Sequence, residues 1–180
     1  MAVSFELSDY AGFRKAAIAD AEPLAALINS AYRGESSRQG WTTEADLLEG
    51  LRTDAGDLIE LMASSNALLL VCEAERQLLG SVNVQKSGES ARIGMLAVAP
   101  KLQARGLGKR LLQYAERVAQ SVWRVNRFEM AVIAQRRELI AFYQRRGYSL
   151  TKQVEPFPEN PALWQPKVQG LQLSILEKLV

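Results

Sequence analysis

A chain of 180 residues, 48% of them hydrophobic, is long and apolar enough to bury the core of one ordinary domain. Its 22 Lys and Arg against 20 Asp and Glu leave a formal charge of +2, which gives no bulk reason to expect nucleic acid or an acidic membrane as a partner. The absence of histidine and a single cysteine, Cys72, exclude Ser-His-Asp hydrolysis, an internal disulfide and the usual zinc and copper ligand sets.

The amino terminus, MAVSFELSDYAGFRK, has neither the basic start nor the unbroken apolar run of a signal peptide. No later segment reaches the roughly 18 apolar residues that a membrane span needs. The expectation is a soluble, cytoplasmic protein with a tail over residues 1–12 and one domain over 13–180. Phe13 to Asp20 reads as a short strand that stops at Asp20, a good helix N-cap. Pro23 is tolerated in the first turn of the following helix, where Leu24, Leu27, Ile28 and Ala31 recur at helical spacing as far as Tyr32.

The polar stretch Arg33 to Thr43 reads as a loop, and Thr42 and Thr43 ahead of Glu44 and Asp46 carry helix-start chemistry. Leu47, Leu48 and Leu51, then Leu58, Leu61 and Met62, predict one or two further helices broken at Gly56. From Ala67 the pattern turns to strands: ALLLVCEA, a turn near Glu75 to Gln77, LLGSVNVQ, a turn at Ser87 to Glu89, then ARIGMLAVAP. Turns this short favour antiparallel neighbours. Cys72 lies inside the first run as a small buried hydrophobe. The third run is apolar at almost every position from Ile93 to Ala99, which suits a strand covered on both faces, and Pro100 ends it.

Leu107, Leu111, Leu112, Ala115, Val118, Ala119 and Val122 then form the apolar stripe of an amphipathic helix. RFEMAVIA predicts a strand, RRELIAFYQRRGY a helix closed by Gly147, and LQLSILEKL a final strand. Between these last two, Val154 to Gly170 holds four of the six prolines and reads as a long extended connection. The alternation of helices and strands implies a mixed α/β sheet with helices on both faces.

The turn QARGLGKR carries the most chemistry. The backbone leaves a buried strand and enters a helix within a few residues, Gly106 and Gly108 permit close approach and positive φ, and free N–H groups there meet the positive end of the helix dipole. Lys101, Arg105, Lys109 and Arg110 surround this anion-binding spot. Alone, the two glycines fit an ordinary strand-to-helix turn with a solvated basic face equally well. A dinucleotide fingerprint would want Gly or Ala where Leu111 stands, and a Walker A loop would want Gly at Gln103 and Ser or Thr at Arg110.

LAVAPKLQARGLGKRLL resembles the acetyl-CoA signature of the GCN5-related N-acetyltransferase (GNAT) family, with the strand, Pro100, Gln103, Gly106 and Gly108 in frame. AFYQRRGY, Ala141 to Tyr148, resembles the family's following segment, and the likeness in element order covers nearly the whole chain. The resemblance implies a single-domain, mostly antiparallel sheet splayed between two central strands. It implies acetyl-CoA as cosubstrate and no metal. Backbone from Gln103, Ala104, Arg105, Gly106, Leu107, Gly108 and Lys109 would hold the pyrophosphate, and Leu96, Ala97 and Val98 would grip the pantetheine arm. A backbone N–H near Ala97 or Val98 would polarise the acyl carbonyl.

By the same resemblance Tyr143 would protonate the departing thiolate, a role open to a phenol with an ordinary pKa of about 10. A tyrosine on a half-buried helix also serves simply as core. The general base stays unassigned among Glu35, Glu44 and Glu129, since the chain has no histidine and Arg92 stands where many relatives place Glu; in the cofactor-side loop Arg136 stands where relatives often carry Asn. Tyr32, Arg33, Glu35, Trp41 and Trp164, with Arg38, are the candidates to bind a small polar or amino-acid-like primary amine. The expectation is an N-acetyltransferase without nucleic acid or membrane partners, a homodimer being left open. The alternatives are a catalytically weak acyl-CoA sensor or assembly protein, and a nucleic-acid module built on the basic turn.

Overall fold

The computed structural model describes residues 11–180, so the part of the expected tail that spans 1–10 lies outside the described residues. Strand β1 (Phe13–Lys15) leads through a 3-10 turn at Ile18–Asp20 into α1 (Ala21–Tyr32) and α2 (Gly34–Ser37). There follow β2 (Leu48–Gly50), α3 (Ala55–Ala63), β3 (Ala67–Ala74), β4 (Gln77–Ser87) and β5 (Ser90–Val98). After a 3-10 turn at Pro100–Leu102 come α4 (Leu107–Trp123), β6 (Arg127–Ile133) and α5 (Arg137–Gln144). The chain ends with β7 (Ser149–Pro156), β8 (Trp164–Pro166) and β9 (Gln172–Leu179). No helix among the described residues is long and apolar enough to cross a membrane.

Seven strands form one sheet in the order β1-β3-β4-β5-β6-β9-β7, and β2 pairs with β8 in a separate ribbon. Every pairing is antiparallel except β5 with β6. These two run parallel and are paired only at Ser90–Arg127, Ala91–Phe128 and Arg92–Glu129. Beyond Arg92 they part, so the sheet is splayed at its centre and the β6-facing edge of β5 from Ile93 to Val98 has no strand beside it among the described residues.

Helices cover both faces. On one, α4 sets Leu111, Leu112, Ala115 and Ala119 against Leu70, Val82, Val84, Ile93 and Phe128; on the other, Leu24, Ile28 and Leu58 of α1 and α3 meet Leu69, Val71 and Ala97. Each fully buried Leu or Phe contributes about 1.5–3 kcal/mol relative to exposure, so these two layers dominate the stability. The α4 stripe ends earlier than its sequence period suggests, because Val122 is exposed.

Alternation along β5 is broken once. Ala91 and Ile93 face α4, and so do Leu96 and Val98, while Met95 and Ala97 face α1. The extra residue is a bulge: the register against β4 shifts between Ser81 and Asn83, and Met95 takes φ +46°. Next to it Gly80 is pinned between layers, since a Cβ there would lie 2.7 Å from the Ala97 carbonyl oxygen and 2.7 Å from Leu111 Cδ1. Gly80→Ala is therefore expected to destabilise the fold by about 1–3 kcal/mol, read as a lower denaturant midpoint with an unchanged slope.

Further sequence expectations are corrected, the first being the loop from Arg33 to Thr43, within which Gly34–Ser37 forms α2. Leu48 lies in a strand rather than a helix, because Leu48–Gly50 finds its partner more than a hundred residues later in Trp164–Pro166. The Thr42–Thr43 step starts no helix; it leads into turns. Asp20 does not cap α1 through its side chain. Its carboxylate instead accepts from the Arg14 guanidinium and the Ala17 N–H, and those bonds, Arg14 first, hold it below the usual carboxylate range. Val154 to Pro156 belong to β7, whose Leu150 and Val154 are exposed, so no buried face marked it as a strand.

Candidate active site

Pro100 and the 3-10 turn carry the chain out of β5, and two residues at positive φ, Ala104 at +62° and Gly106 at +84°, bend it back into α4. The first intrahelical bond is Arg110 N–H to the Gly106 carbonyl at 3.1 Å, so the amides of Leu107, Gly108 and Lys109 have no partner within the helix. A cavity of about 280 Å³ opens over this helix end. Leu96, Val98, Gln103, Ala104, Gly106, Gly108 and Lys109 line it, whereas Ala97, Arg105 and Leu107 do not. Leu107 packs into the core beneath and Arg105 is exposed.

The opposite wall of this cavity is Phe142, with the Arg146 guanidinium 3.4 Å from its ring centre and the Trp41 ring 5.4 Å away. Arg145 and Arg146 add two cations to Lys109. A Cβ on Gly108 would meet nothing closer than Phe142 Cζ at 3.7 Å. The helix end therefore offers free amides, positive charge and open space together, which fits a pyrophosphate.

The Gln103 side chain does not point to that space. Its oxygen accepts from the Trp41 N–H at 2.9 Å, and its nitrogen donates to Thr42 Oγ1 at 2.8 Å and the Val98 carbonyl at 3.1 Å. It thus ties the loop after α2 to the end of β5, and Gly40 leaves it room, since a Cβ there would lie 2.4 Å from Gln103 Oε1.

A second cavity, about 410 Å³, lies on the α1 and α3 side of the splay, and Tyr32, Leu96, Leu139 and Tyr143 line both. On β5, Ala97 faces Ser81 and the Ala99 N–H donates to the Leu79 carbonyl at 2.9 Å, so alternation turns the amides of Leu96 and Val98 toward the open edge and that of Ala97 toward β4. Of the three residues expected to grip an extended ligand, Ala97 has its backbone on the wrong side. The Leu96 carbonyl at this edge accepts from the Tyr32 hydroxyl at 2.6 Å. Burial, with the Glu44 charge behind it, pushes the Tyr32 phenol up to about 12.

Tyr143 is 6% exposed and its hydroxyl has no hydrogen-bond partner among the described residues. Burial raises its pKa well above that of an ordinary phenol. A protonated hydroxyl without a described partner thus stands at the junction of the two cavities.

The acceptor-side candidates divide. Arg33 lines the larger cavity, but its guanidinium is bound to the Glu44 carboxylate, whose other oxygen accepts from Arg136 Nη1 at 3.0 Å. Arg136 also donates to the Thr42 carbonyl at 2.7 Å. Burial lowers the Arg33 pKa against the pull of Glu44. Trp164 lines this cavity with its ring edge toward Phe157, while Trp41 lies in the other one. Glu35 is in neither: its side chain is 90% exposed and paired with Arg38, which also binds Asp46.

None of the three carboxylates considered as a base is uncommitted. Glu35 and Glu44 are paired as described, and Glu129 lies 3.8 Å from Arg92 and 3.3 Å from Arg127. Arg92 itself is chelated by Glu155 at 2.9 and 3.2 Å. Sequence reading missed Arg52, Asn83 and Asp57, which also line the larger cavity; none sits in a motif, and only the tertiary fold brings them to one place.

Residues 27–148 match the family model described as the acetyltransferase (GNAT) family. No curated protein sequence matches the chain. Among solved structures, the ribosomal-protein-alanine N-acetyltransferase from Brucella melitensis superposes with a TM-score of 0.69 at 18% identity, covering 93% of this chain and 99% of that one. The PaiA N-acetyltransferase from Thermoplasma acidophilum, solved with coenzyme A, gives a TM-score of 0.66 at 18% identity over 93% of this chain and 98% of its own. A GNAT-family acetyltransferase from Streptococcus pneumoniae gives 0.64 at 17% identity, with 93% and 98% coverage.

Proposed function

Because the chain belongs to the GNAT acetyltransferase family, we propose that it transfers the acetyl group of acetyl-CoA to the nitrogen of a small primary amine by direct attack on the thioester. The observation that carries this reading is the meeting of the two cavities at Tyr32, Leu96, Leu139 and Tyr143, one opening on the amides at the start of α4 and the other on open space beside β5. Two substrates entering from opposite faces of the splay would touch there and nowhere else.

The residues take the following roles. The amides of Gly108 and Lys109 hold the pyrophosphate, with Lys109, Arg145 and Arg146 supplying charge. The free amides of Leu96 and Val98 bond the extended arm in place of the missing strand, and one of them polarises the thioester carbonyl. The amine attacks that carbonyl, the C–S bond breaks as the Tyr143 hydroxyl gives its proton to the thiolate sulfur, and the proton shed by the acylated nitrogen returns through solvent to the phenolate. With Glu35, Glu44 and Glu129 all paired to arginine, the ammonium loses its proton to solvent before it is seated.

Two variants at one position test the cradle. A Cβ fits at Gly108, so Gly108→Ala keeps the fold, while Gly108→Glu sets a carboxylate against the pyrophosphate. Gly108→Glu is expected to weaken acetyl-CoA binding about 10-fold or more by calorimetry, with the melting temperature of the free protein close to that of Gly108→Ala. Unchanged affinity in Gly108→Glu would remove the cradle assignment.

A further inference from the structure

The polar groups that the larger cavity leaves unpaired describe its ligand. Arg52 is half-buried on its wall, and its guanidinium has neither a hydrogen bond nor an ion pair among the described residues. The other arginines there are committed: Arg33 and Arg136 to Glu44, Arg92 to Glu155. Arg52 lies deep enough for its charge to act on the buried Tyr32 and Arg33.

The backbone around it is held from two sides. The Leu51 N–H donates to the Leu163 carbonyl at 2.7 Å, and Asn29 Oδ1 of α1 accepts from the Arg52 N–H at 2.7 Å and the Thr53 N–H at 3.3 Å. Asn29 Nδ2 closes the clamp on the Thr53 carbonyl at 2.9 Å. An arginine rooted on a held backbone, lining the cavity without an ion-pair partner among the described residues, offers its charge to an anion from outside.

A second group points the same way with the opposite polarity. Asn83 lies on the α1-facing side of β4, lines the cavity and is 6% exposed, yet its Oδ1 accepts from no described residue. A buried acceptor without a donor is costly, and a turn of the Asn83 amide that brings Oδ1 to the cavity lets a ligand N–H supply one. The acidic residue left on this wall, Asp57, is exposed.

We propose that the acceptor is a small amine bearing an anionic group, of which a free amino acid is the simplest form, with Arg52 binding the anion and Asn83 orienting the amine. This rests on the acetyl-transfer reading above and names the substrate class for the same site. Polyamines, which carry only positive charge, are excluded by it.

The test pairs each L-amino acid with its own carboxamide, adds spermidine as a purely cationic control, and follows thiol release from acetyl-CoA together with calorimetric binding in the presence of CoA. For at least one pair the acid is expected to be favoured about 10-fold to 100-fold in kcat/KM. Arg52→Gln is expected to remove that preference by slowing the acid and leaving the amide within about threefold, and Arg52→Lys to restore part of it. Equal use of acid and amide, a preference for spermidine, no acid that binds more tightly than its amide, or an equal loss for both in Arg52→Gln would each overturn the anion subsite. A parent protein that binds no acetyl-CoA would overturn the acetyl-transfer reading itself.

Discussion

Tyr143→Phe lowers kcat by about 100-fold or more and leaves the KM for acetyl-CoA within about twofold, in stopped or continuous thiol-release assays on a verified acceptor. Phenylalanine keeps the ring contacts with Phe142 and Tyr148, whose centroids lie 5.2 and 6.0 Å away, so the fold is spared and only the proton is lost. The hydroxyl has no described partner to leave stranded, which separates it from Tyr148, whose hydroxyl donates to Glu116 at 2.8 Å. A kcat within about threefold of the parent would end the acid assignment.

The same tyrosine fixes a pH dependence. Burial raises its pKa, so the acid form persists well past the point at which an ordinary phenol ionises. Meanwhile the amine becomes reactive only as it loses its proton. The rate therefore climbs with pH until the acceptor is neutral, and no falling limb from Tyr143 appears up to about pH 10. A decline beginning near pH 8 would require a different acid.

Glu44→Ala destabilises the protein by about 3–5 kcal/mol, seen as a shift of the urea midpoint, because it strands two buried guanidinium groups. The Arg33, Arg136 and Glu44 side chains are 4%, 8% and 9% exposed, and the carboxylate is the shared counter-charge of both arginines. Desolvation, rather than lost attraction, sets this magnitude. Replacing all three, as Arg33→Met with Glu44→Leu and Arg136→Met, is thus less damaging than the single change. If the triple variant is the worse of the two, the cluster stabilises the fold outright.

The segments that were legible in the sequence are those whose signals are local. Pro100, the turn glycines and the α4 stripe lie within about two dozen residues and fold on one another. The β3–β4 hairpin was placed correctly although its turn uses Glu75 and Arg76 at φ +50° and +63°, because the apolar runs on either side define it. The β2–β8 ribbon was not legible, since each partner is three residues long and neither has a pattern of its own. Tyr143 stands out in the sequence because it belongs to a motif, whereas Arg52 belongs to none and differs from Arg33, Arg92 and Arg136 only in lacking the ion pairs that the fold gives them. Trp41, expected on the acceptor side, lines the cavity over the start of α4, where Gln103, sixty-two positions away, holds its backbone N–H.

Met95 acts as a phase shifter in the reading of β5. Before it, odd-numbered side chains meet α4; after it, even-numbered ones do. Removing that one residue would rotate everything from Leu96 onward by half a turn, burying the amides of Leu96 and Val98 against β4 and presenting that of Ala97 instead. The count of residues between Arg92 and Pro100 is therefore as much a part of the site as any side chain, and length changes there should be tolerated far less than substitutions.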